Sequence, residues 1–212
     1  MRQISPFDQL IGVADNALRT LFGGYQVTDR ENPTYRMEDE QLEQKEQKHS
    51  AGLMRINHCG EVCAQALYQG QAFTAKLPEV REKMEEAAAE ENDHLQWCSD
   101  RLNQLDSHTS IFNPLWYISS FSIGAIAGLM GDKWSLGFVA ETEYQVVKHL
   151  ESHLISLPEK DILSRIVIEQ MKEDELHHAT VAIEAGGAEL PKPVKFLMEG
   201  MAKVMTKSVY WV

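Results

Sequence analysis

The stretch KEDELHHATVA, residues 172–182, places five acidic and histidine side chains on a segment without proline or glycine. Apolar residues recur around it at steps of three and four, which predicts a helix with one buried face. Glu175 and His178 fall on that face. The other three polar residues fall off it and are expected to face water: Glu173, Asp174 and His177. A buried carboxylate is costly unless a positive group pairs with it, so Glu175 requires such a partner.

Three more segments with helical periodicity precede this one, which itself spans residues 160–185. They cover residues 40–75, 79–105 and 133–157. Pro78, Pro158 and the pair Gly186–Gly187 stand at the breaks, as expected at helix boundaries. The chain shows no alternation typical of β-strands. The sequence therefore predicts an all-α protein, a four-helix bundle in which a long apolar crossover, residues 109–131, joins the second helix to the third.

Each of the four segments carries one glutamate on its apolar face. In chain order these are Glu61, Glu91, Glu143 and Glu175. In the third segment Glu143 is chosen because Glu141 lies about 200° away around the helix. His94 follows the second glutamate by three residues, as His178 follows the fourth. Each of these pairs can therefore offer an oxygen and a nitrogen from one helix face.

Four carboxylates and two imidazoles that project into one bundle indicate a site for two metal ions. Two divalent cations would neutralise the four negative charges and remove the cost of burying them. Oxygen and imidazole ligands without thiolate favour iron or manganese. The predicted ligands are Glu61, Glu91, His94, Glu143, Glu175 and His178. Tyr68, two turns beyond the first glutamate, is interpreted as a packing residue rather than a redox tyrosine. The alternative is a metal-free helical scaffold whose acids share these faces by chance.

The composition is that of a folded cytoplasmic protein. The chain has 212 residues and a formal net charge of −12, which argues against nucleic-acid binding. Its three cysteines form no Cys-x-x-Cys pair, so that neither a disulfide framework nor a zinc knuckle is expected. Residues 1–22 are expected to form a short helix without the apolar run of a signal peptide. We interpret residues 1–40 as an N-terminal helix and linker, and residues 41–212 as the domain that carries the site.

Two segments are unusually apolar for an acidic chain. Residues 109–131 contain no charged residue. They are long enough to span a bilayer, and a crossover packed in the protein core is a second interpretation. Their Asn, Pro, Ser and Gly content favours a third, an interfacial segment that enters one leaflet. Residues 191–212 mix lysine with methionine, valine and aromatic residues, as amphipathic interfacial helices do. Four side chains are expected at a membrane-facing surface: Trp116, Phe121, Ile123 and Trp211.

Five motifs carry a family resemblance: RINHCGEVCAQALYQGQ, EENDHLQWC, NPLWYISSFSIGAIAGLMGD, ETEYQVVKHLESHL and KEDELHHATVA. They are similar to those of the demethoxyubiquinone hydroxylases of ubiquinone biosynthesis, and the similarity covers residues 48–212. These enzymes are membrane-associated di-iron monooxygenases with a ferritin-like bundle. The resemblance implies the same six ligands, with Glu61 and Glu143 in the single-glutamate positions and Glu91 and Glu175 able to bridge.

This resemblance also implies a reaction and its cofactors. Two iron ions per chain use dioxygen to hydroxylate a polyprenyl methoxy-methyl-benzoquinol, with electrons from NADH or from the reduced quinol. No Gly-x-Gly-x-x-Gly fingerprint occurs, so a built-in nicotinamide domain is not expected. The implied location is the cytoplasmic side of the cell membrane, as a peripheral protein among other ubiquinone-biosynthesis proteins. The competing interpretation is a ferritin-like iron-storage protein or peroxidase, which shares the ligands but needs no apolar crossover.

Overall fold

The structure is a computed structural model that describes residues 6–212. This part of the chain forms seven helices: α1 (Pro6–Phe22), α2 (Gln44–Thr74), α3 (Pro78–Gln104), α4 (Asn113–Met130), α5 (Asp132–Ser156), α6 (Ile162–Glu184) and α7 (Lys192–Val209). No strand occurs within residues 6–212. The first five positions of the predicted N-terminal helix lie outside the described residues. The predicted all-α class is confirmed.

Four of these helices form the bundle. α2 packs against α3, α5 packs against α6, and contacts between α3 and α6 and between α2 and α5 join the two pairs. The four helices coincide with the four predicted segments. The largest difference is at the start of α2, which begins at Gln44 rather than at residue 40. The helical periodicity therefore predicted the bundle, and with it the inward direction of each apolar stripe.

Local signals set the ends of the bundle helices. α2 begins with a capping box in which Glu46 accepts a hydrogen bond from the backbone N–H of Glu43 at 2.9 Å. α3 begins at Pro78, whose missing N–H costs nothing in a first turn. Asp161 caps α6 by accepting from the backbone N–H of Ser164 at 3.0 Å. These local signals set where α2, α3 and α6 begin.

The uncharged crossover forms helix α4, which lies alongside α2. The two helices approach closely because glycines face the opposite backbone. A Cβ added at Gly70 would lie 2.8 Å from the backbone nitrogen of Ala125, and one added at Gly124 would overlap the backbone of Leu67. Any larger residue at these positions would force the helices apart. One face of α4 is thereby fixed against the outside of the bundle.

The other face of α4 is apolar and exposed. Its exposed side chains include Leu115, Ile118, Ile126 and Leu129. The structure corrects the sequence-based choice of residues for this surface, because Trp116, Phe121 and Ile123 are half-buried. Trp211 is exposed, as expected. Within residues 6–212, no helix combines the length and the apolar character needed to cross a bilayer.

α7 lies on the surface of the bundle and is attached near both of its ends. Lys195 pairs with Glu141 of α5 at 2.9 Å. Beyond the other end, Tyr210 packs against Gly52, and its hydroxyl hydrogen-bonds to His49 Nδ1 at 2.7 Å. Between these attachments the apolar side chains remain exposed: Phe196, Leu197 and Val204. α7 therefore adds a second exposed apolar surface to that of α4.

Residues 28–39, which we call the strap, run from α1 across α3 and α6. Thr28 donates to both carboxylate oxygens of Asp93 in α3, from its backbone N–H at 2.7 Å and from its hydroxyl at 2.6 Å. Arg30 donates to Asp174 in α6 at 2.6 Å. The sequence predicts a loop here, and the strap is irregular as expected. Its attachment to two bundle helices is a finding of the structure.

Candidate metal centre

The centre of the bundle holds a cluster of acidic and histidine side chains. Four of the predicted ligands, contributed by α2, α3 and α6, offer ligand atoms within 4.8 Å of one another: Glu61, Glu91, His94 and Glu175. All four side chains are buried. Helical spacing brings them together, since each lies on the stripe that its helix turns toward the bundle axis.

Both histidines direct Nδ1 into the cluster. His94 Nδ1 lies 3.1 Å from Glu175 and 3.2 Å from Glu91. His178 Nδ1 lies 3.2 Å from Glu175 and 3.4 Å from Glu91. The two imidazoles therefore approach the same two carboxylates, one from α3 and the other from α6. Glu91 and Glu175 occupy the position between two imidazoles that a bridging carboxylate requires.

The structure places Glu143, and not Glu141, at the cluster. Glu143 is 1% exposed. Burial, together with the negative charges of Glu175 and Glu91, raises its pKa well above the ordinary value for a glutamate. Glu141 lies on another side of α5 and pairs with Lys195. The orientation that periodicity predicts for α5 is the one observed.

Tyr68 makes a polar contact that the sequence did not indicate. Its hydroxyl donates a hydrogen bond from α2 to the carboxylate of Glu143. Burial and the neighbouring charge of Glu143 raise the pKa of Tyr68 well above its ordinary value, so the hydroxyl remains a donor at neutral pH. Its ring packs in a core cluster with Leu136 and Val139. The interpretation of Tyr68 as a packing residue is therefore incomplete.

Two acids outside the predicted set bind the outer nitrogens of the histidines. His94 Nε2 and Asp174 Oδ2 are 3.0 Å apart, and His178 Nε2 and Glu90 Oε2 are 2.7 Å apart. Each acid comes from the helix opposite its histidine. Carboxylates in this position fix the tautomer and the ring orientation of a metal-binding histidine. The expectation that Asp174 faces water is wrong, because its side chain is only 15% exposed.

These two acids share a sequence signal that the apolar stripe alone misses. Glu90 directly precedes Glu91, and Asp174 directly precedes Glu175, so the same offset occurs in both Glu-x-x-His motifs. A residue at this offset lies at the edge of the stripe. Because α3 and α6 face each other across the cluster, an edge position on one helix reaches the outer side of the histidine on the other.

The two histidines differ in how their outer acids are covered. Arg30 of the strap donates to Asp174 Oδ2, the oxygen that also bonds His94. Burial alone would raise the pKa of Asp174, but the hydrogen bonds from His94 and Arg30 outweigh it and lower the pKa to about 2. Glu90, which bonds His178, is 41% exposed. The strap therefore closes the cluster on the His94 side, whereas the His178 side is open.

The cluster concentrates negative charge in a buried volume. Burial and the charge of Glu91 raise the pKa of Glu61 well above its ordinary value. Burial alone would lower the pKa of His94, yet its hydrogen bonds to Asp174 and the glutamates raise it well above the usual range. Binding of protons or of metal cations would each reduce the repulsion between these carboxylates. The site therefore has a strong electrostatic preference for positive charge.

The carboxylate oxygens fit metal ions. Each glutamate has one buried oxygen that accepts no hydrogen bond of good geometry from the described residues: Glu61 Oε2, Glu91 Oε1, Glu143 Oε2 and Glu175 Oε1. Three of them face a histidine Nδ1, at 3.5 Å for Glu61, 3.4 Å for Glu91 and 3.1 Å for Glu175. A buried oxygen without a partner is costly, and a bond to a metal ion removes that cost. Carboxylate oxygen and imidazole nitrogen without thiolate suit iron or manganese. The residues present are therefore compatible with two such ions.

The whole chain resembles proteins of known name. Residues 26–209 match the family described as ubiquinone biosynthesis protein COQ7, a match that includes the strap. The chain is 56% identical over 211 residues to the 3-demethoxyubiquinol 3-hydroxylase of Nitrosococcus oceani, with 100% of this chain and 99% of the relative covered. It is 56% identical over 212 residues to the protein of that name from Acinetobacter baumannii, with 100% of both covered. It is 59% identical over 209 residues to that of Pseudomonas fluorescens, with 99% of this chain and 97% of the relative covered.

Proposed function

The chain belongs to the ubiquinone biosynthesis protein COQ7 family, and we propose that it is the oxidoreductase that hydroxylates demethoxyubiquinol at ring position 3 in ubiquinone biosynthesis. The observation that carries this proposal is the buried cluster of glutamates and histidines at the centre of the bundle. It occurs in a chain that is 56% identical over its whole length to a protein named for this reaction. Hydroxylation of an aromatic ring by dioxygen requires a redox centre, and such a cluster can hold one.

We propose two iron ions per chain as the cofactor. The proposed ligands are Glu61, Glu91, His94, Glu143, Glu175 and His178. Bound iron would supply the electron exchange with dioxygen that hydroxylation requires. The buried oxygens on all four glutamates that accept no hydrogen bond of good geometry support this assignment, because a cation would pair with them. Four carboxylates and two divalent ions also balance in charge.

The protein's own residues hold this geometry. Asp174 and Glu90 bond the outer nitrogens of the two histidines, which keeps each Nδ1 directed into the cluster. Tyr68 donates to Glu143 and limits that carboxylate to one orientation. These hydrogen bonds are in place within the bundle, so that little reorganisation is needed when the site binds its ions.

The proposed substrate is a polyprenyl methoxy-methyl-benzoquinol, and the reductant is external. One oxygen atom of dioxygen enters the ring and the other becomes water, which takes two electrons and two protons. NADH or the reduced quinol itself would supply the electrons. The names of the related hydroxylases support a quinol substrate. The length of the isoprenoid tail affects where the protein must work, because a long tail keeps the substrate in a bilayer.

We propose that the protein binds peripherally to the cytoplasmic side of the cell membrane. The exposed apolar faces of α4 and α7 support this location, since surfaces of this kind are costly in water. α4 and α7 also meet α2 at one place, because Trp116 of α4 and Val209 of α7 belong to one cluster with Ile56 and Cys59 of α2. A peripheral position would let the quinol ring reach the bundle while its tail stays in lipid. Other proteins of ubiquinone biosynthesis are the proposed neighbours at this surface.

A direct assay tests the proposed activity. Iron-loaded protein is supplied with demethoxyubiquinol, a reductant and ¹⁸O-labelled dioxygen, and the quinone products are separated and weighed by mass spectrometry. One ¹⁸O atom per product molecule, at ring position 3, is the expected result. The same protein with its metal removed is the control and should yield no hydroxylated product. Accumulation of demethoxyubiquinone in a strain that lacks this protein would show the same step in cells.

The assay also separates the hydroxylase from an iron-storage protein or peroxidase. A storage protein would oxidise iron in many turnovers and retain it, without forming hydroxylated quinol. A metal-free scaffold would bind no iron at all. Either result would overturn the proposed function.

A further inference from the structure

We propose that a cavity between α3 and α6 is the access route for dioxygen to the metal centre, on a different side of the bundle from the surface proposed for the lipid substrate. This inference rests on the proposed function, because it assumes that dioxygen is a substrate. The cavity has a volume of about 150 Å³ and lies against Tyr68 and His178. It therefore adjoins the side of the cluster that the strap leaves open.

The cavity exists because the two halves of the bundle interior are filled differently. On one side of the cluster large side chains fill the core: Met54, Leu102, Leu150, Ile168 and Met171. On the other side the core includes many alanines: Ala64, Ala72, Ala87, Ala140, Ala182 and Ala185. Small side chains on facing helices leave space that close packing would otherwise remove. The cavity thus lies at the alanine-rich end of the bundle core.

This cavity reaches the residues of the centre directly. Tyr68 lines it, and its hydroxyl bonds Glu143. His178 lines it as well, and its Nδ1 lies 3.2 Å from Glu175. A molecule in the cavity is therefore separated from the clustered carboxylates by no more than one side chain. On the His94 side, Asp174 and Arg30 of the strap cover the imidazole.

The size and lining of the cavity fit dioxygen better than a quinol. The cavity of about 150 Å³ has the volume of a site that holds a molecule the size of benzene or xenon, whereas pockets for drug-sized ligands measure roughly 300–1,000 Å³. A ring that carries methoxy, methyl and polyprenyl groups exceeds this space. Met84, Leu136 and Val139 supply an apolar wall, which favours a small uncharged molecule. Dioxygen is such a molecule.

The mouth of the cavity also separates it from the lipid substrate. Glu86 and His177 line it and are exposed, so that it opens between α3 and α6. The cavity-lining residues come from α2, α3, α5 and α6, and the apolar surface of α4 takes no part in the lining. Glu86 and Glu90 place negative charge beside the opening, which disfavours anions such as a nicotinamide dinucleotide. A neutral gas is unaffected by that charge.

Filling the cavity tests the proposal, and Ala87→Leu is the first variant. Ala87 is half-buried and lines the cavity from α3. Ala89→Leu is the matched control, because Ala89 is half-buried on the same helix and is not among the cavity-lining residues. Val181→Phe fills the same space from α6 and serves if Ala87→Leu fails to fold. Iron content and thermal unfolding are measured for every variant.

Two readouts are independent of quinol turnover. Crystals pressurised with xenon should show a bound atom in the cavity of the wild type and of Ala89→Leu, and none in Ala87→Leu. Association of nitric oxide with the reduced, iron-loaded protein, followed by stopped flow, should slow by roughly tenfold in Ala87→Leu, which an added barrier of about 1.4 kcal/mol produces. A third readout uses turnover itself: in Ala87→Leu the KM for dioxygen should rise, while the KM for quinol stays unchanged.

The outcomes separate this proposal from the proposed function. An absence of xenon from the wild-type cavity would overturn the access route, as would nitric oxide association that is equally fast in Ala87→Leu and Val181→Phe. Equal slowing in Ala89→Leu would also overturn it, because that effect does not come from the cavity. Slower nitric oxide association in a protein that never hydroxylates demethoxyubiquinol would support the route and reject the function.

Discussion

Asp174 and His94 form a hydrogen bond of 3.0 Å across the gap between α6 and α3, on the side of the imidazole that faces away from the cluster. The same carboxylate oxygen of Asp174 accepts from Arg30 at 2.6 Å. Two donors on one oxygen hold the carboxylate in place, and the carboxylate in turn holds the imidazole. A residue of the N-terminal loop is thereby connected to a predicted metal ligand through one intermediate side chain.

Asp174→Asn should weaken iron binding without unfolding the bundle. Loss of the negative charge removes the support for His94 as a ligand, and changes of this kind typically lower metal affinity by about 10- to 100-fold. Competition with a chromogenic chelator measures the affinity. Glu173→Gln is the matched control, because Glu173 is the adjacent residue and is exposed. Equal affinities for the Asp174 and Glu173 variants would show that the outer acid does not support the site.

Arg30→Met should produce a smaller change in the same direction. The variant removes one of the two donors to Asp174, while the hydrogen bonds of Thr28 to Asp93 still hold the strap on α3. We expect faster release of iron to a chelator and a decrease in affinity smaller than that of Asp174→Asn. Arg36→Met, in the same loop but at an exposed position, should behave as wild type. Unchanged iron release in Arg30→Met would separate the strap from the metal centre.

Glu143→Gln should lower the iron content per chain and abolish hydroxylation. The amide is nearly the same size, so that Tyr68 keeps a partner, but the negative charge that a cation needs is lost. Glu141→Gln should retain both irons, because it removes an ion pair with Lys195 outside the cluster, and the amide oxygen can still accept from Gln145. Elemental analysis and the quinone assay measure the two effects. The opposite pattern would reverse the assignment of the ligand on α5.

Helical periodicity predicts the inner surface of the bundle well, because one physical requirement controls it. Every inward position must be apolar or be paired, so the four glutamates on apolar stripes could be recognised from the sequence. The orientation of Glu143 over Glu141 follows from the same requirement. The contacts of Asp174 and Glu90 do not follow, because they depend on how near α3 approaches α6. That distance is set by packing between helices, so the shared offset of the two acids in their motifs becomes informative only when α3 and α6 are placed together.

The strap shows a second limit of sequence-based inference. Residues 28–39 have no period, so their contacts with α3 and α6 depend on long-range pairs such as Arg30 with Asp174. For the crossover, the sequence predicts the apolar character of residues 109–131 but does not predict which face of α4 is exposed. The glycines of α2 and α4 determine which side of α4 is buried, and their close approach becomes apparent only when the two helices are placed together.

Gly124→Ala should destabilise the protein, and Gly60→Ala should not. A Cβ at position 124 overlaps the backbone of Leu67, so α4 must move away from α2, at a cost of about 1–3 kcal/mol. A Cβ at position 60 meets open space. Alanine is favoured over glycine within a helix by about 1 kcal/mol, so Gly60→Ala should stabilise slightly. Urea unfolding of both variants measures the difference, and equal effects would show that the α2–α4 contact is less close than described.

Charged substitutions on the exposed face of α4 should release the protein from membranes. Ile118 and Leu129 are 64% and 65% exposed, and Ile118→Glu and Leu129→Glu would place charge where the proposed contact with lipid acyl chains occurs. Sedimentation with vesicles of mixed zwitterionic and anionic lipid should show a loss of binding in both variants. Binding of the wild type should persist at high salt, since burial of apolar surface rather than lipid charge supplies it.

Leu176→Glu is the control for this surface, because Leu176 is also an exposed apolar residue but lies on α6. Its binding to vesicles should equal that of the wild type. Turnover of a long-tailed quinol should fall with membrane binding in the α4 variants, whereas turnover of a short-tailed, water-soluble analogue should change little, since the metal centre is untouched. Equal loss for both substrates would place the effect inside the bundle. A wild type that fails to sediment with vesicles would remove the membrane from the proposed function and leave the exposed apolar faces of α4 and α7 to a protein partner.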